Sequence, residues 1–366
     1  MKKILFFIIV LSLLFISVSA TEQIDTNSLE DSLSEGEYYS FFGNVKEIID
    51  GILNNDLKLQ GNGVLENILE ILFLSIKNTL PSLTVMLGLS ILLSFIDKLN
   101  IINSNLENTA KLGGRILFTV TVISSVTGLV SSAKDGLNTV SSFSQALSPV
   151  LITLLASCGA QGSVTNLGPS SVLLSSVLID IIVNTVFPLI ILGCTVLSVD
   201  TLLTGNKLKG ISDLLKSVVS WIIGIIFTVF TGVIAIQGAI ASISDGISMR
   251  GIKYAISTSV PIIGGAISES LSAVLFSGYL LKSAVGLMGI IIIAGILILP
   301  LASIFAYFVL LKCFCAVTQP FADPFTVEFL KNVCEFIKLI LIILLGVGVL
   351  WFVFLGITVT VGKVLL

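Results

Sequence analysis

The 366 residues are 55% hydrophobic and 11% charged, with a mean hydropathy of +1.10. A soluble domain carries about 25% charged residues, so this composition excludes a water-soluble globular protein and fits a chain that crosses a membrane several times. Histidine is absent and the net charge is -3, which removes the commonest general base and metal ligand.

Met1 to Ala20 has the build of a secretory signal. Lys2 and Lys3 precede an apolar core, Ile4 to Ile16, too short to span comfortably, and Val18-Ser19-Ala20 offers small residues for cleavage after Ala20. An uncleaved first anchor is the alternative, and either way the following chain starts outside the cytoplasm. Residues 21–70 form an acidic extracytoplasmic segment, with eleven Asp and Glu against Lys46 and Lys58. Thr21 to Tyr39 is predicted to be disordered. Phe41, Phe42, Val45, Ile48, Ile49, Ile52 and Leu53 then fall at the spacing of an amphipathic helix. Glu47, Asp50 and Asp56 disfavour an anionic lipid surface, so its greasy face is expected to meet protein, a partner's or its own.

Residues 71–366 read as an all-α polytopic membrane domain, with about six spans near 79–96, 116–133, 171–203, 218–241, 284–311 and 339–360. Pro81 suits the first turn of a helix that starts near Thr79. Lys134-Asp135-Gly136 ends the second span. A weakly amphipathic stretch, Leu137 to Leu155 with Pro149, and a turn, Cys158 to Ser171, lead to an apolar run holding Asp180, Asn184 and Pro188. That run is too long for one straight span of about 20 residues and reads as a kinked helix or a half-span followed by a full one. Trp221 anchors the next span at an interface.

The chain then carries Gln237, leaves the bilayer at Ser242–Ser244, passes Asp245-Gly246, Arg250 and Lys253, and re-enters through Pro261 and Gly264-Gly265, with Glu269 beyond. Irregular backbone at membrane depth survives only under protein or water cover, so this stretch is predicted to lie inside an assembly. Pro300 kinks the following run. Phe325 to Lys338 forms an amphipathic helix whose Glu328, Lys331, Glu335 and Lys338 can pair along one stripe. The last span is Leu339 to Thr360.

An internal repeat of helical hairpins emerges. Leu117-Phe118-Thr119-Val120, Asp135-Gly136 and Pro149 match Ile226-Phe227-Thr228-Val229, Asp245-Gly246 and Pro261, and Pro81 and Pro188 match Pro300. Each unit is a span entering at a proline, a charged cytoplasmic segment and a returning span, followed by a Pro/Gly-broken or re-entrant connector, which makes a parallel repeat. With the mature start outside, the loops at Lys98–Arg115, Lys207–Lys216 and Lys312–Lys338 are expected in the cytoplasm; each carries three Lys/Arg, against Lys134 in one outer connector and Arg250, Lys253 and Lys282 in the other, a modest bias in the positive-inside sense.

The run IQGA, then SDGI, Arg250, Lys253-Tyr254 and VPIIGGAISE resembles the central signature of the stage III sporulation protein AE family, polytopic membrane proteins of endospore-forming Firmicutes. The similarity extends from the signal sequence through GNKLKGISDLLKS to TQPFADP at Thr318–Pro324. The resemblance implies a membrane-core component of the complex joining mother cell and forespore, in the mother-cell membrane engulfing the forespore. It further implies ring-forming proteins and a cytoplasmic ATPase as partners. It brings no catalytic motif.

The residues themselves point the same way. No catalytic set, cofactor site or metal site is recognisable, so a non-enzyme is expected, with no nucleic-acid partner, and homo-oligomerisation is open. Cys158, Cys194, Cys313, Cys315 and Cys334 read as small buried hydrophobes, since Cys313-x-Cys315 lacks the second pair a zinc site needs. Asp180, Gln237, Glu269, Gln319 and Asp323 lie nearest membrane depth, where an ionisable group is a functional candidate by default. An autonomous ion-coupled permease using Asp180 and Glu269 is the rival reading. Gly286 with Gly289, and Gly346 with Gly348, are expected to let helices approach closely.

Overall fold

A computed structural model describes residues 61–98, 104–202, 208–259, 264–320 and 324–361. The signal sequence and the amphipathic helix at 41–59 lie outside the described residues, as do Pro261 and Asp323. Every described element is helical. α1 is Gly61–Lys98, α2 is Ser104–Ser157, α4 is Lys209–Ser259, α5 is Gly264–Thr318 and α6 is Pro324–Thr360. α3 is one continuous rod: Gln161–Val172, a π-helical Leu173–Leu178, Ile179–Ile181, a π-helical Ile182–Val186, and Phe187–Leu202. All six helices are long and apolar enough to cross a membrane. The chain is a multi-pass membrane protein.

The helices run up and down in sequence order. Gly114 of α2 meets Leu93 of α1, Gly168 of α3 meets Ile152 of α2, and Gly162 of α3 meets Ser244 of α4. Gly286 and Gly348 bring α5 and α6 together against Val359 and Leu297. α4 and α6 are parallel, as Phe227 meets Gly346 and Ile357 meets Gly238. α1, α3 and α5 thus share one direction and α2, α4 and α6 the other, which is the arrangement three repeated hairpins require. One apolar cluster joins all six, from Met86 of α1 and Phe118 of α2 to Ile304 of α5 and Trp351 of α6.

The helices differ from expectation in length. α2, α4 and α5 have 54, 51 and 55 residues. At about 1.5 Å per residue each is near 80 Å long, against a hydrocarbon core of about 30 Å. The break expected at Pro149 is absent, because α2 runs through it to Ser157. The turn expected over Cys158–Ser171 shrinks to Cys158–Ala160, where Gly159 takes a φ of 72°. Pro81 sits inside α1 rather than in its first turn. The chain does not leave its helix at Ser242–Ser244 either, since α4 continues to Ser259. Likewise Phe325–Lys338 and the last span are one helix, with Pro324 at its first position.

Hydroxyl groups bond to helix carbonyls beside these prolines, and a glycine notch receives a third proline ring. Beside Pro149, Ser148 Oγ donates to Ser144 O at 2.7 Å, and beyond Pro81, Thr84 Oγ1 donates to Leu80 O at 2.9 Å. The Pro300 ring of α5 nests where Gly136 of α2 has no side chain, 2.8 Å from where a Cβ would stand. In α3 the Phe187 N–H reaches back five residues to Ile182 O, a wider turn just ahead of Pro188, whose missing N–H would interrupt a regular ladder.

Candidate functional site

At the end of the bundle that carries the α2–α3 turn, charged side chains meet in the interior. Ala160 starts α3 with no capping side chain of its own. Asp245 of α4 supplies the cap: Oδ1 accepts the Ser163 N–H at 3.1 Å and Oδ2 accepts the Ser163 hydroxyl. The carboxyl group is 1% exposed and makes those bonds at the positive end of the helix. Gly162 permits the approach, because a Cβ there would stand 2.4 Å from Ser244 Cβ and 2.9 Å from Asp245 Oδ1.

Lys282 of α5 is fully buried in the same region. Its ammonium donates to Val361 O, just past the end of α6, and lies 4.9 Å from the Tyr279 ring centroid. A cation on the carbonyl end of a helix is the counterpart of Asp245 on an amide end. Lys282 feels the charge of Asp245 and sits beside Cys158, whose thiol burial pushes up from its ordinary value, partly offset by Lys282 and Ser157. Cys158 Sγ also packs 3.1 Å from where a Cβ on Gly278 would be. The cluster therefore binds the α2–α3 turn, α4, α5 and the end of α6. It is built for fixing helix ends.

The opposite end repeats the device. Asp200 of α3, 4% exposed, accepts the Leu208 N–H at 2.7 Å at the start of α4. Nearby, Lys209 pairs with Glu328 of α6, and Lys216 Nζ lies 3.3 Å from Asn332 Oδ1. Glu328 is thus engaged by α4, while Glu335 and Lys338 pair within α6 at 3.3 Å.

Other polar residues singled out from the sequence lie apart from this cluster. Asp180 is exposed midway along α3, between the two π-helical segments, and accepts from Asn184 Nδ2. Gln237 is half-buried in α4, with its Oε1 buried and unpartnered. Gly246 has open space around it, and Arg250 and Gln319 are exposed. Gly264 and Gly265 begin α5 and Glu269 follows within it; the surroundings of their side chains lie outside what is described. Gly286, Gly289, Gly346 and Gly348 all sit at close helix contacts. Of the cysteines, Cys313 is exposed rather than buried. Among the described residues no group of three or more His, Cys, Asp or Glu could hold a metal ion.

A model of the stage III sporulation protein AE family matches residues 43–362. The chain belongs to that family. The family's role is in sporulation. Stage III sporulation protein AE of Bacillus subtilis (strain 168) is 27% identical over 260 residues, which covers 70% of this chain and 65% of that relative. The matched stretch is therefore less than two thirds of the relative's length. No solved structure matches the chain. The family match takes in the whole buried cluster, from Cys158 and Ser163 to Val361.

Proposed function

We propose that this chain is a non-enzymatic membrane-core component of a sporulation-specific channel or secretion-like complex between mother cell and forespore, in the mother-cell membrane that engulfs the forespore. Membership of the stage III AE family across residues 43–362 carries this reading. Its partners are other stage III proteins, a cytoplasmic ATPase at the end bearing Lys209 and Lys331 and ring-forming proteins at the acidic N-terminal side. An autonomous permease would enclose its ionisable groups within one copy. Asp180 is exposed on the outside of the bundle, which favours a chain that works in an assembly.

Cross-linking from Lys331, which is exposed on α6, in sporulating cells tests the proposal. Capture of a cytoplasmic ATPase supports it. Capture of extracytoplasmic proteins alone overturns it. The permease is tested separately: replacing Asp180 by Asn and Glu269 by Gln would abolish solute transport in reconstituted membranes if the chain were a permease, and would leave complex assembly intact if it is a scaffold.

A further inference from the structure

The bundle has two unlike outer surfaces at one depth. Gly136 of α2 touches Pro300 of α5, Leu297 of α5 touches Gly348 of α6, and Phe227 of α4 touches Gly346, so these residues mark a single layer. Ser141 of α2 donates to Ser175 O of α3, and the antiparallel course of the two helices then brings Asp180 to the level of Gly136. In this layer α4 and α6 expose Ile225, Val229, Ile342 and Val349, as a lipid-facing surface should. α2 and α3 expose Lys134, Asp135, Asn138, Asp180 and Asn184.

The contrast continues along α2, while α3 exposes Val172, Leu173 and Val177 beside its polar residues. Between Val120 and Val172 no large hydrophobic side chain is exposed. The outward stripe of α2 after Asp135 is Asn138, Ser142, Gln145, Pro149 and Thr153, at the three- and four-residue spacing of one helix face. Over the matching length α4 exposes Ile236, Ile240 and Ile243. The polar side is organised: Gln145 Nε2 donates to Ser141 Oγ at 3.1 Å, Ser141 donates to the Ser175 carbonyl in the first π-helical segment, and Asn184 holds Asp180. A flat bilayer that covers the isoleucines of α4 covers this stripe at the same depth. Lipid contact with a lysine and two carboxylates there is costly.

We infer that the outer faces of α2 and α3, from Lys134 to Thr153 and across Asp180–Asn184, border a water-filled path at membrane depth. The stripe is on the outside of one bundle, so a second protein surface closes the path. The inference rests on the membrane-complex reading and gives it a wetted wall.

Cysteine accessibility tests it. Asn138→Cys, Gln145→Cys and Asn184→Cys are made in a Cys313→Ser chain, with Val229→Cys and Ile236→Cys as apolar controls. Each full-length variant is first required to support sporulation. A membrane-impermeant charged thiosulfonate is applied to membranes from sporulating cells and to membranes lacking other stage III proteins. The stripe cysteines should react at least about tenfold faster than the controls in sporulating membranes, because a thiol whose pKa rises by about one unit loses tenfold in thiolate. Stripe cysteines as slow as the controls in both membranes would overturn the water path. Controls as fast as the stripe would overturn it too, since the whole layer would then lie outside the bilayer. If the path stands while the assembly reading fails, the stripe reacts equally in both membranes and Lys331 captures no cytoplasmic partner.

Discussion

Asp245 and Asp200 stand in the same relation to opposite ends of one antiparallel pair: Asp245 of α4 closes the start of α3, and Asp200 of α3 closes the start of α4. Each helix lends the other a buried carboxylate where backbone N–H groups have no partner within their own helix. Lys282 completes the pattern at the carbonyl end of α6. The bundle is therefore fixed at its ends by charges placed on helix dipoles, and along its length by glycine contacts.

Asp245→Ala and Asp200→Ala should each lower the thermal midpoint of the detergent-purified chain. The loss of a cap costs about 0.5–2 kcal/mol, and the buried Ser163 N–H left behind moves Asp245→Ala toward the upper end. Asn at either position keeps an acceptor and should cost less. The two sites are at opposite ends of the pair, so the double variant should show additive losses.

Gly162 and Gly246 make a matched contrast. Gly162→Ala drives a Cβ to 2.4 Å from Ser244 Cβ and should cost about 1–3 kcal/mol by overpacking. Gly246→Ala meets nothing within 4 Å and should be neutral or slightly stabilising, as alanine is the better helix former. Unfolding midpoints of the two variants, measured side by side, check this.

Lys282→Met keeps the length of the side chain but leaves Val361 O without its donor. It should destabilise the α6 end by about 1–3 kcal/mol. Limited proteolysis of the purified chain should then release the C-terminal residues faster, with the rest of the fold intact. Unchanged proteolysis would remove the assigned role of Lys282.

Alkylation of the native chain should modify Cys313 and spare Cys158, Cys194, Cys315 and Cys334, while denaturation should open all five. Burial raises the Cys158 pKa, so less thiolate forms at a given pH than on a free cysteine. Its labelling should therefore lag that of Cys313 across the mildly alkaline range, as mass spectrometry of the modified sites would read.

The six spans were legible because hydropathy is a local signal that survives without neighbours. The helix lengths were not. Lys134-Asp135-Gly136 and Pro149 look like breaks, and the packing at Gly136 is remote in sequence: Pro300 lies some 160 residues from the notch it fills. Asp245 stood out in the sequence, but its partner Ser163 fell in a stretch read as a turn. In the sequence Lys282 merely flanks an apolar run, the ordinary place for a lysine that reaches toward water, and only the packing of α5 on α6 reveals it pointing inward. Asp200 gave no signal beyond being an acid near a loop. The polar stripe of α2 was visible residue by residue, yet its meaning needs the apolar face of α4 at the same depth.

The most direct measurement is the sidedness of two cysteines in a chain whose native Cys313 is replaced by Ser. Gln319→Cys is in the exposed turn after α5, and Gln161→Cys is exposed at the tip between α2 and α3. An impermeant maleimide should label position 319 from the cytoplasmic face alone and position 161 from the opposite face alone. Labelling of both from one face would contradict a bundle threaded through the membrane.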